Sequence, residues 1–130
     1  MPFPLAENYI RDAEVALEGK LPGRYRNWIA RSNGGEVEAQ DDTWQVHPLE
    51  DRTDRKRSAR SANHVVWETE QARKWSAFPI NAIAIASNGT GDRLVLLQQD
   101  SAFADAVYLW SHESGELRPI AESIDDLAIE

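Results

Sequence analysis

Two apolar runs joined by a glycine-containing segment constrain the fold of this chain more than any other feature. The runs are Ala82 to Ala86 and Arg93 to Gln99. Runs of this length that are rich in Ile, Val and Leu are typical of strands buried at the centre of a sheet. We therefore predict two central strands, with the chain turning back on itself between them.

The segment between the runs, Asn88-Gly89-Thr90-Gly91-Asp92, is compatible with a phosphate-binding loop or with a simple turn. A phosphate-binding loop needs glycine followed by a helix whose N-terminal N–H groups face the anion. Here Asp92 follows Gly91 directly, the next residues are strand-like, and no Walker lysine is present. Because a carboxylate at this place would repel phosphate, we predict a β-turn in which Asp92 accepts hydrogen bonds from nearby N–H groups.

The N-terminal third predicts two helices, separated near Gly19. The first has apolar residues at helical spacing, and the second begins at Leu21-Pro22 because Pro is tolerated in a first helical turn. The second helix ends at Ser32-Asn33-Gly34-Gly35, where glycine can take the left-handed conformation. The predicted buried residues are Tyr9, Ala13, Ala16 and Leu17 in the first helix and Tyr25, Trp28 and Ile29 in the second.

The rest of the chain predicts mostly strands. Glu36 to Ala39 and Thr43 to His47 alternate polar and apolar residues, which indicates a hairpin with Gln40-Asp41-Asp42 at its tip. A helix is predicted over residues 61–75, with Val65, Ala72 and Trp75 on its buried side. Two strands follow, Val107 to Trp110 and Leu117 to Ile120. A last helix, capped by Ser123, places Ile124, Leu127 and Ala128 in the core.

These elements predict a single α+β domain over residues 1–130. Its sheet is mostly antiparallel, and the N-terminal helices, one central helix and a C-terminal helix pack around it. The chain has no cysteine, no signal-peptide pattern at its start and no apolar run long enough to span a bilayer. We therefore predict a cytoplasmic protein that does not associate with membranes.

The charge of the chain is unevenly distributed. Fourteen Lys and Arg residues stand against 22 Asp and Glu residues, for a formal net charge of −8. Five basic residues lie between 51 and 60 with two acids, so the remaining chain has 9 basic and 20 acidic groups, a net charge of −11. Such a field repels nucleic acid and favours a basic partner. The basic segment has no interleaved aromatic residue, so we predict a solvated loop there, with a phosphate-binding arm as the alternative.

No arrangement of catalytic residues is apparent in the sequence. His47, His64 and His112 are far apart and lack the spacing of metal ligands on one helix. His112-Glu113 could hold a metal ion or a proton, but a surface turn is the simpler interpretation. No nucleophile, base and orienting group occur in a recognisable pattern. We therefore predict a protein that is not an enzyme and has neither a cofactor nor a bound metal.

A partner-binding site is predicted on the acidic hairpin and turn positions. Trp44 sits on the hairpin beside Asp41 and Asp42, and a partly exposed Trp44 would be an aromatic anchor ringed by acids. Core packing, which we expect for Trp28 and Trp110, is the default interpretation for Trp44 as well. The predicted binding residues are Asp41, Asp42, Trp44, Asp92 and Glu113.

Several short motifs follow one another in a fixed order over nearly the whole chain. They are Leu21-Pro22, Tyr25, Trp28-Ile29, Asn33-Gly34-Gly35, Trp44, Pro48-Leu49, Ile83-Ala84-Ile85-Ala86, Asn88-Gly89, Gly91-Asp92, Leu94 to Leu97, Val107-Tyr108-Leu109-Trp110, His112-Glu113, and Ile120-Ala121-Glu122-Ser123-Ile124 before Leu127. In order and spacing they resemble the SUKH superfamily, which includes fungal cell-wall-synthesis regulators of the Smi/Knr type and many bacterial immunity proteins. Residues 51–76 depart from that pattern, and variable segments are where partner choice tends to lie.

The resemblance implies a SUKH-like fold and a function in protein binding. It implies an immunity protein that binds and neutralises a cognate toxin, often a nuclease, or else a regulatory module that scaffolds other proteins. The acidic charge agrees with a basic toxin as partner, because nuclease sites are commonly basic. We expect neither nucleic acid nor a small-molecule ligand to bind.

Overall fold

The chain begins with two helices and continues with strands, which further helices interrupt. The computed structural model describes residues 2–129. Its helices are α1 (Glu7–Leu17), α2 (Gly23–Arg31), α3 (Arg55–Arg60) and α4 (Val65–Ala72), and its strands are β1 (Glu36–Ala39), β2 (Asp42–Val46), β3 (Ala82–Ser87), β4 (Arg93–Gln99), β5 (Ala102–Phe103), β6 (Val107–Trp110), β7 (Leu117–Ala121) and β8 (Ala128–Ile129). Even α1, with 11 residues, is much shorter than a bilayer requires, and no helix in the described range qualifies as a membrane span.

The strands form one antiparallel sheet with the two apolar runs near its centre. The strand order is β7-β6-β4-β3-β2-β1-β8, and β5 makes a further pair with β4. Within the central pair, Ile83 lies opposite Leu96 and Ala84 lies opposite Val95. All four of these residues are fully buried. The prediction of two neighbouring central strands is confirmed, as is the α+β class.

Both faces of the central strands are covered. Ile83 and Ile85 belong to a large apolar cluster that includes the buried residues of α1 and α2. Ala82 and Ala84 belong to a smaller cluster with Ala72 of α4, Phe78 and Trp110. Side chains alternate between the faces of a strand, so a strand that is apolar throughout needs a cover on each side.

Helix α4 is hydrogen-bonded to the sheet as well as packed against it. The Thr69 hydroxyl accepts a hydrogen bond of 2.9 Å from the backbone N–H of Ala84, and both groups are buried. Alanines at positions 82 and 84 leave room for this approach, because a larger side chain would hold the helix away from the strand. The contact gives a buried backbone donor of β3 an acceptor from α4.

A buried carboxylate joins the first two helices. Glu14 Oε2 accepts a hydrogen bond of 2.7 Å from the Leu21 N–H and one of 3.3 Å from Arg26 Nε. Leu21 precedes Pro22, which is the N-cap residue of α2 and provides no side-chain cap. Glu14 therefore satisfies a buried donor and fixes α2 against α1.

The helical part of the chain differs from our expectations in four respects. In α1 the buried face consists of Ile10, Ala13, Glu14 and Leu17, while Ala16 is exposed. The helix predicted over residues 61–75 is present but shorter, as α4, which His64 caps, and Asp54 caps a separate helix, α3, in the basic segment. The basic segment is thus helical and not a loop. Trp75 follows the end of α4 and is half-exposed, so helical spacing no longer applies to it.

The predicted C-terminal helix is also wrong. Residues Ile124–Asp126 form one turn of 3₁₀ helix, and the Ser123 side chain caps nothing. The chain then extends as β8, where Val37 pairs with Ile129 and Glu38 with Ala128. The open edge of β1 offers backbone hydrogen bonds that a single helical turn cannot match. Ile124 and Leu127 are nevertheless buried, as predicted.

The Glu14 contact predicts a stability difference between two carboxylates that share Arg26. Glu7 Oε1 lies 2.6 Å from Arg26 Nη2 but is exposed, whereas Glu14 is buried. Glu14→Ala leaves the buried Leu21 N–H without its acceptor and should lower the free energy of unfolding by about 1–3 kcal/mol. Glu7→Ala, the matched control, should lower the free energy of unfolding clearly less, because the ion pair of Glu7 with Arg26 is screened by water. Urea unfolding measures both, and equal losses would contradict the role assigned to Glu14.

Candidate functional site

The tip of the β1–β2 hairpin is a two-residue turn. Gln40 and Asp41 both have left-handed backbones, with φ of 53° and 61°. Such a pair matches the twist of the strands that it connects. Asp42 is the first residue of β2, and its Oδ2 accepts a hydrogen bond of 2.7 Å from the Asn88 side chain. The hairpin tip is therefore attached to the segment between β3 and β4.

That segment is a turn, as predicted from its sequence. Gly89 and Gly91 have φ of 87° and 109°, and the Asn88 side chain accepts hydrogen bonds from the Thr90 N–H and hydroxyl. Asp92 Oδ1 accepts a hydrogen bond of 3.1 Å from the His112 N–H and lies 2.6 Å from His112 Nδ1. A Cβ on Gly91 would lie 2.9 Å from the His112 ring, so glycine is needed there for close packing as well as for its backbone.

These turns border a groove of about 390 Å³. We call it the acidic groove; its charged lining residues are Asp42, Asp92, Glu116 and Arg118. The three carboxylates come from β2, from the residue before β4 and from the residue before β7. Arg118 donates a hydrogen bond of 3.2 Å to the Gln40 side chain. With three carboxylates and one guanidinium, the groove has an excess of negative charge.

The structure brings together three of the five predicted site residues. Asp42, Trp44 and Asp92 all border the acidic groove. Asp41 lies in an adjoining hollow with Glu38, also at the hairpin tip. Glu113 is exposed in the turn after β6 and borders neither.

Trp44 does not present its ring to a partner. Its relative exposure is 1%, and its indole Nε1 donates a hydrogen bond of 3.0 Å to the Ala39 carbonyl. The side-chain alternation of β2 directs it into the core, in agreement with the default interpretation of the sequence. The interpretation of Trp44 as an exposed aromatic anchor is therefore wrong.

An exposed tryptophan contacts His112, the partner of Asp92, but at a position that the sequence reasoning assigned to the core. Trp75 is 47% exposed, and its ring meets the Trp110 and His112 rings edge-on at centroid distances of 6.3 and 5.5 Å. Because His112 also contacts Asp92, the aromatic cluster is continuous with the acidic groove. Glu116 and Asn88 were missed as well. The one signal for Glu116 was an acid between the predicted turn at Ser114-Gly115 and the predicted edge strand.

A comparison with protein families identifies the chain. The model of the SMI1/KNR4 family (SUKH-1) matches residues 4–130. The chain belongs to this family. The match covers nearly the whole sequence, including the segment 51–76 that carries no motif of the SUKH pattern. No curated protein matches the chain.

The three histidines of this SUKH-1 protein have separate structural surroundings. His64 Nδ1 accepts a hydrogen bond of 3.2 Å from the Trp67 N–H and so caps α4. His112 pairs with Asp92, and His47 is buried at the end of β2. Among residues 2–129, no group of three or more His, Cys, Asp or Glu side chains is arranged to hold a metal ion.

His47 is surrounded by few groups that could stabilise its charged form. Its Nε2 lies 3.9 Å from Glu68 Oε1, which is too long for a hydrogen bond, and neither ring nitrogen has a hydrogen-bond partner within the described chain. Burial, together with the charge of Arg93, lowers the pKa of His47 from 6.5 to about 4. Burial raises the pKa of Glu68. His47 and Glu68 are therefore each uncharged over a wider pH range than exposed His and Glu side chains.

His47 should make the domain sensitive to acid. Below pH 6.5 the unfolded chain binds a proton at this imidazole that the folded chain does not, so the free energy of unfolding falls as the pH drops from 6.5 towards 4. The full loss is about 3 kcal/mol, partly offset by Glu68, whose raised pKa acts in the opposite direction. His47→Gln should flatten the pH dependence in this window, as measured by urea unfolding at several pH values. An unchanged slope would show that His47 does not titrate in this way.

Proposed function

We propose that this protein is a non-enzymatic immunity protein that binds a cognate toxin through the acidic groove and occludes it. The observation that supports this most directly is the convergence of Asp42, Asp92 and Glu116 from three separate segments of the chain in one groove. SUKH-1 membership supports a role in immunity or regulation through protein binding. In this proposal no cofactor takes part, and the protein acts in the cytoplasm, in agreement with its lack of cysteine.

The carboxylates of the groove are held in position before any partner arrives. Asp42 accepts from Asn88, and Asp92 accepts from the backbone of His112. Side chains that are already ordered lose little conformational entropy on binding, which favours affinity. Trp75, whose ring contacts the His112 ring next to Asp92, adds a half-exposed aromatic surface of the kind that dominates binding energy in interfaces.

The charge of the chain favours a basic partner. Outside residues 51–60 the net charge is −11, and the groove itself has three acids against one base. A toxin that acts on nucleic acid needs a basic active site, so an acidic inhibitor would be attracted to that site over long distances. The residues of the groove also explain why catalysis is not proposed: no nucleophile is joined to a base there.

A regulatory scaffold that binds endogenous proteins is the second candidate, because the family includes both roles. The gene neighbourhood separates the two. A neighbouring gene for a large secreted protein with a variable C-terminal domain supports immunity, whereas its absence favours the scaffold.

Charge reversal at the hairpin tip should weaken binding of the toxin domain encoded by the neighbouring gene. The double variant Asp41→Lys/Asp42→Lys places positive charge at the tip and at the edge of the acidic groove, and should raise Kd at least about tenfold. Asp125→Lys/Asp126→Lys is the matched control, since it changes the same net charge away from the groove. Calorimetry gives Kd, and thermal unfolding checks that both variants fold. Equal effects of the two variants would place the binding surface elsewhere.

Association with the same toxin domain should slow strongly with salt. If the acidic field steers the encounter, the association rate constant should fall on the order of tenfold between low and high ionic strength, while dissociation changes much less. Stopped-flow fluorescence follows both rates. Association that stays constant across the salt series would exclude electrostatic steering.

A further inference from the structure

The basic residues between 51 and 60 form a second charged surface, well separated from the acidic groove. Four of them, Arg55, Lys56, Arg57 and Arg60, lie on α3, and Asp54 caps that helix by accepting a hydrogen bond of 2.8 Å from the Arg57 N–H. No residue of α3 is buried. The helix is thus not part of the core, and its concentration of positive charge contrasts with the rest of an acidic molecule.

The fifth basic residue, Arg52, has a structural role. Its guanidinium donates to Glu50 at 2.7 Å and to Asp12 of α1 at 3.0 Å, and it lies over the Tyr9 ring. These contacts attach the start of the segment to α1. Arg52 therefore does not enter the proposal below.

Three cations of α3 gather around one aromatic ring. The charged groups of Arg57, Arg60 and Lys56 lie 4.3, 4.9 and 5.8 Å from the centre of the Phe3 ring. Like charges repel when they are brought this close, and the electron-rich face of the ring offsets part of that repulsion. The ring also restricts side chains that would otherwise be mobile.

Phe3, Arg57 and Arg60 line a cleft with a volume of about 720 Å³. Trp28 and Arg31 line it as well, so three guanidinium groups and two aromatic rings meet there. Its two carboxylates are Glu36, which is exposed at the start of β1, and Asp51. Asp51 is buried and accepts hydrogen bonds from the Thr53 N–H and hydroxyl, so its charge is already partly compensated.

The cleft and the acidic groove lie at opposite ends of the β1–β2 hairpin. The cleft borders Glu36 and Gln45 at the open end, and the groove borders Gln40 and Asp42 at the tip. The extended strand between them spans roughly 10 Å. The two sites are therefore formed by different residues of the same hairpin.

We propose that this basic cleft binds an acidic peptide segment of another protein. Guanidinium groups pair with carboxylates through two parallel hydrogen bonds, and the partly buried Phe3 ring provides surface for an apolar side chain between the acids. The cleft is too large for a single phosphate ion, and a long nucleic acid would extend beyond it onto the acidic surface of the molecule. A short acidic segment fits both the size and the local charge. This binding site is independent of the toxin-binding function proposed above.

A fluorescein-labelled peptide of eight glutamates tests the proposal by anisotropy titration. Because the rest of the chain repels this peptide, binding must occur at a local basic surface. Arg57→Glu should weaken binding at least about tenfold, whereas Arg55→Glu, on the same helix but outside the cleft lining, should change Kd only about two- to threefold. The two variants have identical net charge. A peptide of eight glutamines serves as the neutral control and should not bind.

Further measurements test whether the cleft itself binds the peptide, or whether unfolding of a variant or binding of small anions explains the result. Urea unfolding checks that Arg57→Glu folds, and Arg57→Lys, which keeps the charge but loses the planar fork, should bind with intermediate affinity. No saturable binding by the unaltered protein, or equal losses in the Arg55 and Arg57 variants, would overturn the proposal. Displacement of the peptide by inorganic phosphate at an equal concentration would overturn it too, because the site would then bind small anions. None of these outcomes depends on whether a toxin is the partner of the acidic groove.

Discussion

Burial of β3 and β4 on both faces is the constraint on which the rest of the structure depends. Ile83 and Ile85 on one face and Ala82 and Ala84 on the other must all be removed from water, so helices have to cover the sheet on each side. The N-terminal helices supply one cover and α4 supplies the other. The segment 51–76 therefore cannot vary freely, since α4 lies within it and Thr69 hydrogen-bonds to β3.

Strand pairing also determines where the charged residues meet. The antiparallel order places the β1–β2 tip, the β3–β4 turn and the β6–β7 turn around one groove, although Asp42, Asp92 and Glu116 are far apart in sequence. The open end of the same hairpin lies beside α3. A single sheet thus separates a negatively charged surface from a positively charged one by little more than the length of β1.

The sequence predicted the features that depend on local periodicity. The bounds of β4 and β6 and the turn at Gly89 and Gly91 follow from apolar runs and turn residues, which do not need tertiary information. The errors occurred where long-range contacts decide. The prediction that Trp75 lies in the core assumed helical spacing beyond the end of α4. The predicted C-terminal helix is absent because β8 pairs with β1 instead. For the site, the sequence identified Asp42 and Asp92, but it could not show that Glu116 joins them across the sheet.

The same architecture separates changes in binding from changes in folding. Asp41 and Glu116 lie in or beside turns and are exposed, so substitutions there alter the charge of a surface without removing a buried contact. Trp44 and Trp110, in contrast, are buried and pack in the core. A partner surface built from turn residues on a rigid sheet can therefore acquire new charges at little cost in stability, whereas a surface that depended on Trp44 itself could not.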